Sequence, residues 1–173
     1  MAAGATYTPI ASYTVTGSSA ATVTFSSISA IYTDLRLIMS VQQTPSAARN
    51  IYLQFNTDTS GSGTNYSWTV LGGNGTTATS ARVSNFQAIY CDYFGSPVSP
   101  NFGTTTVDIM NYSNTTTYKT TLGRNNDAAS GTDGIVGLWR STAAINKLNL
   151  QYGGTGFNFS VGSTFSLYGI TAA

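Results

Sequence analysis

Apolar side chains recur at every second position along most of this chain, and this alternation limits its fold more than any other feature. Leu35, Leu37, Met39 and Val41 give the clearest run. Side chains two positions apart lie on the same face of an extended strand, whereas helical spacing never persists here beyond one turn. The sequence therefore predicts a chain built from β-strands.

Short alternating runs of this kind are separated by turns rich in glycine, serine and asparagine. The Asn74-Gly75 pair is the strongest turn signal, because a tight hairpin favours these residues at positive backbone angles. About ten strands are expected in all, and no segment offers a crossover helix for parallel pairing. We predict a single all-β domain over residues 1–173, an antiparallel two-sheet sandwich of jelly-roll-like topology.

Charged residues are scarce, and this scarcity removes most catalytic possibilities. They make up 8% of the chain, which contains no histidine and no glutamate. A nucleophilic triad would need a lysine or aspartate base, and no two aspartates are spaced to share one strand face. We therefore predict no enzyme and no catalytic residue; hydrolysis of a polysaccharide by an aspartate is the alternative kept for testing.

Three segments carry partial signals for a metal or phosphate site. Asn56-Thr-Asp58 opens like a calcium loop but lacks the closing glutamate, and Asn125-Asn126-Asp127 with Asp133 is expected to form a second oxygen-rich loop. Gly153-Gly154-Thr-Gly156 lacks the lysine of a phosphate-binding loop. Cys91 has no cysteine partner and is expected to be a buried apolar side chain. No metal and no cofactor are predicted.

Charge and hydropathy also bear on partners. The net charge is +1 and the basic residues are scattered, so nucleic-acid binding is not expected. No run approaches the roughly 18 apolar residues of a membrane span, and the amino terminus does not resemble a secretory signal. We expect synthesis in the cytoplasm and no membrane partner.

Both ends of the chain lack aspartate, lysine and arginine, over residues 1–33 and 148–173. One interpretation is that these segments are central strands covered on both faces. The other is that residues 1–13 form an extended arm that contacts another subunit, because charge depletion with tyrosine enrichment is typical of interface centres. The candidate partner contacts are Tyr7, Ile10 and Tyr13.

Aromatic residues on a neutral sheet suit carbohydrate binding, although most aromatics in a sandwich belong to the core. The candidates for a sugar-binding face are Tyr52, Tyr66, Trp68, Tyr90, Tyr93 and Trp139. Asp108 alternates with Val107 and Ile109 and is expected on a surface or edge. Its pairing with Arg36 or with Arg140 stays open at this point.

Several strings resemble those of small structural proteins of tailed bacteriophages, and together they span most of the chain. They are Phe25-Ser-Ser-Ile28, Tyr32-Thr-Asp34-Leu35-Arg36-Leu37, Leu53-Gln-Phe55-Asn56, Asn65-Tyr66-Ser67, Ile109-Met-Asn111-Tyr112-Ser113 and Phe165-Ser-Leu167-Tyr168-Gly169-Ile170. The resemblance implies a β-sandwich, often trimeric, that serves as a capsid decoration (cement) protein or as a tail or fibre component.

The resemblance and the composition lead to one function and one alternative. The leading hypothesis is a decoration protein on the capsid surface of the virion, a homotrimer that binds the major capsid protein and stabilises the shell. The alternative is a receptor-recognition module of a tail fibre that binds host surface glycans.

Overall fold

Strands and connecting segments make up the described part of the protein. The computed structural model describes residues 6–45, 47, 49–58 and 64–171. Its strands are β1 (Tyr7–Thr14), β2 (Thr22–Phe25), β3 (Asp34–Val41), β4 (Gln43–Thr44), β5 (Ile51–Phe55), β6 (Tyr66–Gly73), β7 (Ala78–Phe86), β8 (Ile89–Tyr90), β9 (Gly103–Met110), β10 (Lys119–Asp127), β11 (Gly131–Trp139), β12 (Leu148–Tyr152), β13 (Asn158–Phe159) and β14 (Thr164–Ile170). No helix within these ranges has the length and hydropathy that crossing a membrane requires.

The strands form two stacked antiparallel sheets of unequal size. The large sheet has eight strands in the order β1-β14-β3-β9-β10-β11-β6-β7, and the small sheet has four in the order β2-β12-β5-β8. A two-stranded ribbon joins β13 to β4. The predicted all-β, antiparallel two-sheet sandwich is confirmed, and the chain passes repeatedly between the two sheets.

The main core lies between the two sheets and follows the alternation in the sequence. Leu35, Leu37 and Met39 of β3 are fully buried against Leu53 and Leu150 of the small sheet. Full burial of one such side chain is worth about 1.5–3 kcal/mol, so the inward rows account for much of the favourable free energy of folding. The outward rows of the large sheet stay exposed, which leaves that face available for contact.

The β10–β11 hairpin is longer than the sequence indicated. Asn125 and Asp127 lie in β10 and Asp133 lies in β11, so the prediction of an oxygen-rich loop here was wrong. Asn125 pairs in register with Asp133, and both side chains point inward and are buried. Asn125 Oδ1 accepts the Thr105 hydroxyl and Asp133 Oδ2 accepts the Tyr93 N–H, whereas Asn125 Nδ2 and Asp133 Oδ1 have no partner among the described residues. No local propensity could reveal this burial.

Strand β1 occupies one edge of the large sheet. Tyr7–Thr14 pairs with β14, so the described part of the expected arm is a strand of this chain's own sheet, and residues 1–5 lie outside the described residues. The register shifts between Pro9 and Ala11. The Thr171 N–H donates to the Thr6 carbonyl, so these two residues form a hydrogen-bonded pair of the ladder. Hydrogen-bonded and non-hydrogen-bonded pairs alternate along an antiparallel ladder, so the backbone nitrogen of Pro9 points away from β14. The free edge therefore carries a residue without an N–H.

Candidate interaction surfaces

The three expected partner contacts lie on β1 but do not share one face. Tyr7 packs edge-on against Tyr168 on the face turned away from the small sheet, which we call the outer face. Tyr13 lies beside inward-facing Phe165, and half-buried Ile10 packs against the main core. Tyr7 and Tyr13 are 46% and 44% exposed. The register shift after Pro9 places Ile10 and Tyr13 on the side opposite Tyr7.

A groove runs along the junction of β1 and β14. It has a volume of about 380 Å³ and is lined by Pro9, Ile10, Ala11, Ser12, Ser166, Leu167 and Tyr168. None of these side chains is charged. The groove and the two half-exposed tyrosines form an uncharged strip at one edge of the sandwich, which we call the β1 margin.

Two of the six aromatic candidates for sugar binding belong to the core. Tyr66 and Trp139 stack at a centroid distance of 6.3 Å and are 0% and 3% exposed. The Tyr66 hydroxyl donates to the Asp58 carbonyl at 3.0 Å, and burial raises the pKa of this phenol. Trp139 Nε1 donates to Asp58 Oδ2 at 2.6 Å. These groups anchor the segment after β5 and cannot reach a ligand at the surface.

The other aromatic candidates gather at the β8 edge of the small sheet. Tyr52 stacks on Tyr90 at 5.3 Å, and Tyr90 stacks on Trp68 at 4.4 Å. The Tyr52 ring also lies so close to Gly153 that a Cβ added there would be 2.5 Å from the ring. Tyr93 meets Trp68 edge-on. Tyr90 lies between Tyr52 and Trp68 in this stack, so the ring faces that meet there are not available to a sugar.

The described side chains of the segment that opens like a calcium loop serve the fold. Asn56 Oδ1 accepts bonds from the backbone N–H groups of Asn146 and Lys147, and its amide donates to the Ala144 carbonyl. Asp58 Oδ2 is bonded to Trp139 and Asn65. Residues 59–63 of that segment lie outside the described residues. Within the described ranges, no three His, Cys, Asp or Glu side chains lie together as metal ligands would.

A group of acidic side chains is buried beneath the large sheet. Asp92 Oδ1 accepts the Ile51 N–H at 2.7 Å, and Oδ2 accepts the Ser96 hydroxyl at 2.7 Å. Burial raises the pKa of Asp92 to about 7, although these bonds oppose the rise. Burial also raises the pKa of Asp133, whose Oδ2 accepts the Tyr93 N–H. The same cause raises the pKa of the buried Cys91 thiol, so this cysteine is not a reactive thiolate.

The outer face of the large sheet has one row of side chains that crosses seven strands. In strand order this central row is Tyr168, Arg36, Asp108, Leu122, Val136, Thr69 and Arg82. Arg36 forms two bonds to Asp108, so the partner left open by the sequence is Arg36; Arg140 instead donates to backbone carbonyls. Leu122 and Val136 are more than half exposed. Asp108 therefore has the surface position expected from its alternation.

The neighbouring row on the same face contains a hollow. This glycine row runs Ser166, Ile38, Thr106, Arg124, Gly134, Leu71 and Ser80. The outer hollow has a volume of about 260 Å³ and is lined by Arg36, Thr106, Asp108, Leu122, Gly123, Arg124 and Gly134. Sequence reasoning missed it, because the hollow depends on Arg124 facing a residue without a side chain on the next strand. The only local signal is the presence of glycine on both strands of the hairpin.

Comparisons with known proteins assign no family to this chain. No protein-family model matches it, and no curated protein matches it. Among solved structures, alginate lyase Aly36B appears as a mutant in complex with alginate tetrasaccharide, at 9% identity and a TM-score of 0.37, covering 82% of this chain and 70% of that one. Galectin LEC-6 of Caenorhabditis elegans has 9% identity and a TM-score of 0.32, covering 90% and 94%. Likeness this weak carries no statement about function.

Proposed function

We propose that this protein is a structural component of a tailed-phage virion, a capsid decoration protein that attaches through the β1 margin. The observation that carries the proposal is an edge strand without charged residues that holds Tyr7 and Tyr13 about half exposed. Interface centres are depleted of charge and enriched in tyrosine. The phage assignment itself comes from the resemblance of the sequence strings.

The geometry of β1 favours attachment by side-chain packing. Pro9 presents no N–H at the free edge, and the register shift beside it interrupts the ladder. A partner strand could not pair continuously along such an edge. The uncharged groove and the two tyrosines instead offer apolar surface and hydroxyl groups to a neighbour.

In this proposal the partner is the major capsid protein and the decoration protein is a homotrimer on the capsid surface. Permanent contact requires neither a catalytic group nor a cofactor, so we propose no enzymatic activity. Each contact would contribute a small binding energy, and the sum over many copies around the shell would help the capsid to resist internal pressure. The alternative of a glycan-binding fibre module gains little from its aromatic candidates, because Tyr66 and Trp139 are buried and Tyr52, Tyr90 and Trp68 stack on one another.

The number of copies in purified virions tests this function. A decoration protein is expected in hundreds of copies per particle, and a handful would contradict it. Purified protein is then added to capsids that lack it. Tyr13→Ser is expected to weaken attachment at least about tenfold, whereas Tyr118→Ser, at a tyrosine 54% exposed outside β1, leaves attachment unchanged. Equal loss in both variants would rule out the β1 margin as the contact.

A further inference from the structure

The outer hollow has a defined floor and walls. Arg124 faces Gly134 on one side and Thr106 on the other. Gly134 contributes no side chain, and a Cβ added there would find its nearest neighbours at 3.9 and 4.0 Å. On the side towards the central row, the hollow is closed by Asp108 of β9 and Leu122 of β10. Its volume of about 260 Å³ is slightly below the roughly 300 Å³ at which the usual range of ligand pockets begins, which limits the hollow to one small ring.

The polar groups of the hollow are of two kinds. Arg124 has neither a hydrogen bond nor an ion pair with any residue in the described ranges, so its guanidinium is available to an anion. Asp108 is held by Arg36 through bonds of 2.5 and 2.9 Å. The third contact of Arg36, to the Tyr7 hydroxyl, fixes the guanidinium further. Asp108 is thus a preorganised acceptor with lone pairs that a hydroxyl group can use.

The surroundings of the hollow carry neutral hydrogen-bonding groups. The next row of the outer face contains Thr164, Ser40, Thr104, Asn126 and Thr132. Hydroxyl and amide groups in a row suit the hydroxyl groups of further sugar units. A second copy of this chain seated with a two-fold axis through the hollow is a poor occupant, because that axis would bring the two Arg124 guanidinium groups together.

We propose that the outer hollow binds one acidic sugar unit, a hexuronate or sialate residue of an oligosaccharide. Arg124 binds the carboxylate, Asp108 accepts bonds from ring hydroxyls, and Leu122 packs on the apolar side of the ring. A concave site the size of one ring, with a hydrogen-bond acceptor and an unpaired cation, suits a sugar unit of this kind better than it suits the flat surface of a protein partner. The site is separate from the groove of the β1 margin and goes beyond the proposed function.

Titration calorimetry on the purified full chain tests the site with a panel of hexuronate and sialate trisaccharides. At least one acidic trisaccharide is expected to bind, and its neutral methyl ester about tenfold or more weakly, because one charge-assisted contact is lost. Silence across the whole panel, or equal binding of acid and ester, would overturn the proposal. Triglutamate distinguishes the source of the carboxylate: binding as tight as that of the sugar would assign the hollow to a protein partner instead.

Three variants connect binding to the hollow. Arg124→Gln and Gly134→Val are each expected to weaken binding about tenfold or more, the first by removing the cation and the second by filling the space. Arg82→Gln removes an exposed arginine of the same face that does not line the hollow, and binding is expected to persist. Unchanged binding in Gly134→Val, with thermal unfolding like that of the parent protein, would place the sugar elsewhere. Because this assay needs no virion, it can fail while the capsid assignment stands.

Discussion

Arg36 and Asp108 face each other directly across β3 and β9 on the outer face of the large sheet. Their side chains form two bonds, from Arg36 Nε to Asp108 Oδ1 at 2.5 Å and from the terminal nitrogen to Oδ2 at 2.9 Å. The same guanidinium donates to the Tyr7 hydroxyl of β1. One arginine therefore connects the edge strand, through the outer face, to the rim of the hollow.

Asp108→Asn is expected to lower the free energy of unfolding by about 1 kcal/mol. The pair is bidentate but partly solvated, with side-chain exposures of 27% and 23%, so solvent screens much of its interaction. Urea denaturation at low and at high salt measures the change, which should shrink as salt rises. Arg82→Gln, which removes an arginine with no ionic partner in the described ranges, is the control and should change stability by less than about 0.5 kcal/mol.

Stability is expected to fall as the pH rises from about 4 to 7. Asp92 has a pKa of about 7 in the folded protein, against an ordinary value near 4 when unfolded. The folded state therefore binds the proton more tightly, and the stabilisation is complete below the unfolded pKa and lost as the pH passes the folded one. The whole effect is up to about 4 kcal/mol.

Asp92→Asn tests this assignment, because the amide keeps a bond to the Ile51 N–H but does not titrate. Chemical denaturation across this pH range should show a flatter profile in the variant. Ser96→Ala removes a hydrogen bond that lowers the pKa of Asp92, so the pH range over which this variant loses stability should extend to higher pH. A profile identical to that of the parent in Asp92→Asn would assign the slope to Asp133 or to another group.

Gly169→Ala is expected to destabilise the protein by roughly 1–3 kcal/mol, because the added methyl group would overlap the ring of Tyr32. Gly134→Ala is the matched control, since a Cβ there meets nothing closer than 3.9 Å. Both glycines lie within strands, and neither has a positive φ. Thermal unfolding of the two variants should separate them clearly, and equal melting temperatures would contradict the packing of Tyr32 on β14.

Asp58→Ala is expected to cost about 1–3 kcal/mol, because the indole N–H of Trp139 loses its partner at a site only 3% exposed. Tryptophan fluorescence during denaturation follows the change. Asn65→Ala is the control, because the 3.1 Å bond of Asn65 to the same carboxylate is exposed. Added calcium should not raise the melting temperature of the parent protein; a rise would restore the calcium interpretation of residues 56–61.

Local alternation was enough to predict the sandwich but not its polar interior or its surface hollow. Leu35, Leu37 and Met39 are buried as their spacing predicts, because one side of a strand must face the core. Asn125 and Asp133 were predicted in a loop, since polar residues next to a turn usually belong to it. Their place in paired strands depends on burial that no local signal encodes.

The hollow and the arm depend on distant pairings. Arg124 faces Gly134 because of the β10–β11 register, and Arg36 meets Asp108 only because β3 and β9 are neighbours, 72 residues apart at that pair. The uncharged first segment left a covered strand and an arm as open interpretations. Pairing of β1 with β14 places it at an edge, which is neither a fully covered strand nor a free arm.

Pro9 has a consequence for the behaviour of the protein at high concentration. An exposed strand without charges would normally invite identical molecules to join side by side into endless ribbons. The prolyl ring and the irregular ladder at that edge oppose such strand addition, while the tyrosines beside them stay accessible. This edge can therefore bind a partner through its side chains without serving as a template for fibril growth.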